Sequence, residues 1–154
     1  MFQTLAKKPE WFRRFVNVWP PFVGAGIHLE KVAPDFTSAT VAMKLKMTNK
    51  NYVGVHFGGS LYSMADPFFM LLIMNRIGKG YIVWDKSADI EFKKPGRGTV
   101  RAHFEVTDEM LDDIRQKTAN GEKYLPVYSV DIMDEEGDVV ATVKKTLYIK
   151  RKSD

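Results

Sequence analysis

Among the residues of this sequence that could do chemistry, Asp66 stands apart as the one carboxylate in the largely apolar stretch 61–77. An acid so placed can serve as a general base or as a nucleophile. Gly58 and Gly59 open the same stretch. A Gly-Gly pair at a helix start presents unpartnered backbone N–H groups at the positive end of the dipole, with no side chain barring a carbonyl from them. The amides of Phe57, Gly58 and Gly59 therefore suit an oxyanion hole, Gly59 foremost. From Gly59 to Asp66 is seven residues (66 − 59), about 10 Å of helix and far for a single hydrogen-bonded centre in one chain. His56, just before the pair, reads either as a base or as a turn histidine bonded to backbone. Asp66 also admits a plain reading. Followed by Pro67, it fits a helix N-cap with proline at the first helical position. If one helix runs through instead, Pro67 removes the bond to the Ser63 carbonyl and kinks it.

Other chemistries are narrowed by composition. The chain has no cysteine, which excludes disulfides, thiolate metal sites and thiol nucleophiles. Its histidines, His28, His56 and His103, are not at metal-ligand spacing, so neither a metal site nor a cofactor is expected. A net charge of +4 suits an acidic ligand but is too small for a nucleic-acid platform, and no basic segment is interleaved with exposed aromatics. The apolar run 68–74 is far shorter than the ~20 residues needed to span a bilayer. The amino terminus has no signal-peptide pattern, and a cytoplasmic protein without stable membrane insertion is expected.

The elements that must position these residues follow from periodicity. With 154 residues, 45% of them hydrophobic, one domain with a real core is expected, comprising a helical lead-in over 1–21 and a body over 22–154. Trp11, Phe12, Phe15, Val16 and Trp19 predict a helix over 9–19, ended by Pro20 and Pro21. Strands are predicted over 27–32 and 37–47, the second with Val41, Met43, Leu45 and Met47 on its buried face. Further strands fall at 81–94, 99–106, 125–133 and 139–150, the last two joined by an acidic turn. Thr107 N-caps a helix that is over by Gly121. Long strands joined by short turns make an antiparallel sheet with one apolar face, and the apolar helix 59–77 is its partner layer, so the fold class is α+β with the sheet curled around that helix.

This architecture, with Asn51, the turn His56-Phe57-Gly58-Gly59 and Asp66, resembles the hotdog fold, and within it the acyl-CoA thioesterases of the phenylacetate-pathway (PaaI-like) type. Phe57 separates His56 from the glycine pair, where that family has them adjacent. The segment 87–96, ending at Pro95-Gly96, is similar to a strand of the same family. The wording Asp66-Pro67 and Val83-Trp84-Asp85-Lys86 is closest to a poorly characterised branch of it. The resemblance implies a homo-oligomer in which the Gly58/Gly59 turn of one chain meets Asp66 of another, with Asn51 and Ser87 orienting water or carbonyl. Lys93, Lys94 and Arg97 are candidates for CoA phosphates, and Phe57 and Met70 for the acyl chain. Lys144, Lys145, Lys150, Arg151 and Lys152 read either as further phosphate contacts or as a solvated basic face. The expected function is thioester hydrolysis. Alternatives are a non-catalytic acyl or acyl-CoA binding protein, or an enoyl-CoA hydratase or dehydratase, which would want an acid further along the helix than Asp66.

Overall fold

The computed structural model describes residues 8–153; expectations that fall on residues 1–7 and 154 lie outside the described residues. Helix α1 spans Pro9–Val18, with proline in its first turn where no N–H is required. Of its predicted aromatic face only Phe12 and Val16 are buried, Phe12 edge-on to Phe36 at 5.5 Å, while Trp11 is 53% exposed. Pro20 and Pro21 do more than end this helix, because both occupy the first turn of a second one, α2, Pro20–Ala25. The Asn17 side chain, from α1, donates to the Leu29 carbonyl and accepts from the Leu29 amide. In effect it caps the outer edge of the first strand, as an edge strand requires.

Strands β1 (Ile27–Val32) and β2 (Ser38–Lys44) form the first antiparallel pair. β2 is shorter than the alternation predicts. Its pattern breaks after Lys44 because the buried Asn49 folds the chain back, donating to the carbonyls of Ala25 and Lys44 and accepting from the Lys46 amide. Met47, predicted inward, is therefore 80% exposed.

The central helical segment consists of α3 (Gly58–Ala65) and α4 (Phe68–Ile77). After it come β3 (Tyr81–Phe92), β4 (Thr99–Glu105), α5 (Asp108–Lys117), β5 (Lys123–Tyr124), β6 (Val127–Met133) and β7 (Val139–Arg151). Thr107 caps α5 as expected, accepting from the Met110 amide. The strand predicted over 125–133 starts two residues later, as β6 at Val127, because Pro126 has no N–H for the ladder, and the unpredicted β5 pairs with β7 on the other side of it.

The strand order is β1-β2-β4-β6-β7-β3, every pair antiparallel, with β5 beside β7. This is the hotdog fold: one curled sheet around the helical segment. Phe68 and Phe69 of α4 both pack on Phe104 of β4 at 5.2 Å, the first tilted and the second edge-on, and Phe69 also meets Tyr128 of β6 at 5.4 Å. Among the described residues no helix is long and apolar enough to cross a membrane.

Candidate functional site

The helical segment does not run unbroken past Asp66. Asp66 (φ −56°, ψ −59°) and Pro67 (φ −93°, ψ −9°) both keep right-handed helical angles, but the ladder is interrupted between α3 and α4. The Asp66 side chain caps neither helix. Instead its Oδ1 accepts two hydrogen bonds, from the Tyr62 hydroxyl at 2.7 Å and from the Lys145 ammonium at 2.7 Å. Tyr62 lies one helical turn back on the same face of α3, as i, i+4 spacing dictates. Oδ2 takes no hydrogen bond among the described residues, and the side chain is 44% exposed.

Lys145 is the residue that sequence reasoning placed wrongly. The β7 ladder points Ala141, Val143, Lys145, Leu147 and Ile149 to the same face, and all five are buried. Lys145 is only 1% exposed, so it is no part of a solvated basic surface. Its Nζ also lies 3.1 Å from the Tyr62 hydroxyl and 3.2 Å from Oδ1 of Asp85. Burial alone would pull the ammonium's pKa down. The bonds to Asp66 and Tyr62 and the two carboxylate charges outweigh it, and the pKa lies above the usual lysine value. Burial likewise pushes the Tyr62 hydroxyl up, with its bond to Asp66 acting the same way, so it stays a donor at neutral pH.

Asp85 reaches this cluster because of a β-bulge. The β3–β7 register shifts between Asp85 and Ser87, so Val83 and Asp85 face inward before the bulge and Ala88 and Ile90 after it. Burial raises the Asp85 carboxyl above its ordinary pKa, against the pull of Lys145. Its Oδ1 is within ion-pair distance of the ammonium yet makes no hydrogen bond. The only signal in the sequence is a change of phase, Val83 and Asp85 being odd-numbered where Ala88 and Ile90 are even, and the strand predicted over 81–94 carries no bulge. Ser87 is exposed and lies outside the cluster.

The glycine turn sits at the other end of α3. The Phe57 amide donates to the Asn49 carbonyl at 2.8 Å, so it is withdrawn from any oxyanion hole. The Gly58 and Gly59 amides have no carbonyl partner among the described residues. Two half-exposed rings stand against them. A methyl group on Gly59 would lie 2.6 Å from the Phe57 ring, and one on Gly58 would lie 2.9 Å from the Phe92 ring. Asn51 shapes the preceding turn, its Oδ1 accepting from the amides of Val53 and Val55. Met70 is half-buried on α4, packed against the core.

His56 is buried, and its Nε2 donates to the Gly98 carbonyl at 2.9 Å. Its ring also packs against Gly96, where an added methyl group would be 3.2 Å from it. The histidine thus pins the turn 95–98 to the glycine turn. Burial holds its pKa below the usual histidine value, with the Gly98 bond opposing. The native state therefore resists a proton that the unfolded chain accepts near pH 6.5. Stability should fall as pH drops from 7 toward 5, and urea melts of His56→Gln should lose that slope.

Of the basic residues expected to meet phosphates, Lys94 is committed to Asp134 at 2.8 Å and Asp138 at 2.7 Å, and its pKa is raised by them. Lys93 pairs with Glu91 at 2.8 Å. Arg97 is exposed and makes no ion pair among the described residues.

With this geometry in hand, the family described as "Domain of unknown function (DUF4442)" matches residues 9–149. The chain belongs to this family. A comparison with curated proteins finds no match. Among solved structures, the DUF4442 chain is similar to a Pseudomonas aeruginosa protein of unknown function described as a probable thioesterase (TM-score 0.82, 19% identity, covering 93% of this chain and 95% of that one). It is also similar to a Haemophilus influenzae thioesterase (TM-score 0.69, 16% identity, 94% and 91% covered). A third is the PaaI protein of the Escherichia coli phenylacetic acid degradation operon (TM-score 0.64, 20% identity, 97% and 96% covered). At these identities the likeness establishes the shared hotdog fold.

Proposed function

We propose that this protein hydrolyses acyl thioesters, with acyl-CoA as the substrate class, using Asp66 as its general base. One observation carries the reading: Asp66 is held at Oδ1 by Tyr62 and Lys145 while Oδ2 is free and its side chain is 44% exposed. A base fixed at one oxygen and open at the other is positioned to take a proton from water. In this step Oδ2 accepts the proton as the water oxygen adds to the thioester carbonyl carbon. The resulting oxyanion is received by backbone N–H groups of Gly58 and Gly59. The C–S bond then breaks, the thiolate recovers the proton from Asp66, and a carboxylic acid and free thiol leave.

Gly59 and Asp66 lie at opposite ends of the same eight-residue helix, about 10 Å apart along its axis. A homo-oligomer that sets the glycine turn of one copy beside Asp66 of another makes the site complete. The sheet edges favour this, since Asn17 closes the β1 edge while β3, among the described residues, pairs only with β7. Phe57, Phe92 and Met70 suit the acyl chain, and Arg97 suits a phosphate. Asn51 shapes the turn and Ser87 lies on the open β3 edge, within reach of a second copy.

Incubating the protein with a panel of acyl-CoAs of graded chain length and titrating released thiol tests the reading. Release from at least one substrate is expected. Tight binding of several with no release would identify a non-catalytic acyl-CoA binding protein, an alternative favoured by the Phe57 and Phe92 rings that crowd the glycine pair.

A further inference from the structure

The buried lysine has more counter-ion than it needs. Its ammonium, with three hydrogens to give, faces Asp66 and Tyr62 from α3, Asp85 from β3 and, as its register neighbour on β6, Tyr128. Only one of the two carboxylates is hydrogen-bonded. Asp85 stands 3.2 Å from the ammonium as an ion-pair partner, its near oxygen buried and without a hydrogen bond, so the lysine already has a second acceptor within reach.

Resting on the hydrolytic reading above, we propose that Lys145 is a positioning residue with two exchangeable counter-ions: it fixes Asp66 at rest, and Asp85 receives its ammonium when Asp66 loses its charge. The need arises from the chemistry. Whether Asp66 takes the proton of water or adds to the carbonyl itself, its carboxylate becomes neutral during the reaction. A buried lysine whose sole partner is neutralised would oppose that step, because an unpaired charge in the interior is expensive. Asp85 removes the opposition, since a short swing of Nζ exchanges one acceptor for the other. When the thiolate takes the proton back, Asp66 is charged again and the ammonium returns. Tyr62 and Tyr128 stay neutral throughout, both hydroxyls being pushed up by burial. Lys145 itself keeps its proton, its pKa lying above the ordinary lysine value.

The experiment compares Asp66→Asn, Asp85→Asn and the double variant, so that the result does not depend on turnover alone. Each single variant leaves Lys145 one carboxylate and is expected to lose only a few degrees in Tm. The double variant leaves none and is expected to lose more than the sum of the singles, roughly 10 °C or more. In folded Asp66→Asn, which mimics the neutral state, the carboxyl carbon of Asp85 should titrate about one unit or more lower than in the wild type, followed by NMR. A crystal structure of that variant should show Nζ hydrogen-bonded to Asp85. On a cleaved thioester, Asp85→Asn should lower kcat about tenfold with KM nearly unchanged, the mark of an interaction made only on the way to the transition state.

Additive Tm losses, or an Asp85 titration unmoved in Asp66→Asn, would overturn the exchange. So would a KM effect without a kcat effect. If the wild type releases no thiol from any substrate, the hydrolytic reading fails by itself, and the melting and titration results still decide whether the counter-ions exchange.

Discussion

An Asp66→Asn protein is expected to fold as the wild type does and to release thiol from a cleaved acyl-CoA about 10²- to 10⁴-fold more slowly, the range for removing a general base. Asparagine keeps the size of the side chain, and its carbonyl oxygen can still accept from Tyr62 and Lys145, which both bond one oxygen of Asp66. The lysine also retains a carboxylate, because Asp85 is 3.2 Å away. What asparagine cannot do is take a proton at the position of Oδ2. The loss should therefore appear in kcat with Tm lowered by only a few degrees, read from steady-state thiol release and a thermal melt on the same preparation. Were Asp66 merely a structural partner of the lysine, the melt would move and turnover would not. Equal turnover in both proteins would exclude Asp66 as the base.

Much of the fold could be read from periodicity, because a buried sheet face writes itself as alternation and a surface helix as a cap and a stripe. Val41 and Met43 on the buried face of β2 and the Thr107 cap of α5 came directly from that. The failures occur where one residue overrides the local pattern. Asn49 ends β2 through three hydrogen bonds to backbone groups, two of them local at Lys44 and Lys46 and one distant at Ala25, and nothing in residues 45–47 announces it. Pro126 delays the start of the strand predicted over 125–133 to Val127, which the missing N–H could have signalled.

The candidate site was legible in its acid and its glycines but not in its cation. Charge was read as exposure, so Lys145 was grouped with Lys144 although the two neighbours point to opposite faces of β7. Parity with Val143 and Leu147 was the available signal. Asp85 was hidden for a related reason, since the bulge that turns it inward is visible only as a change of phase along β3. The two-chain arrangement inferred from the length of α3 depends on an interface that one sequence does not encode locally.

Lys145→Met is the substitution expected to harm the folded state most. Methionine fits the space of the lysine stem and suits a buried strand position, so packing is largely kept. The ammonium, however, is what reconciles Asp66 with Asp85. Without it two carboxylates share one half-buried site. Breaking a fully buried pair costs about 3 to 5 kcal/mol, and because Asp66 is 44% and Asp85 23% exposed, about 2 to 4 kcal/mol is the better expectation. For a chain of this size that is a fall in Tm of roughly 5 to 15 °C. The pH dependence carries the sign. Burial and the neighbouring Asp66 charge raise the Asp85 carboxyl above its unfolded value, with no lysine left to oppose them, so the native variant binds more protons than the unfolded chain. Its deficit should accordingly shrink as the melt is taken from pH 7 to pH 5, where a packing defect would show no such recovery. Adding Asp85→Asn to Lys145→Met removes the repulsion and should restore much of the Tm. Turnover should stay low, because Oδ1 of Asp66 is then held by Tyr62 alone, and the two roles of the lysine come apart.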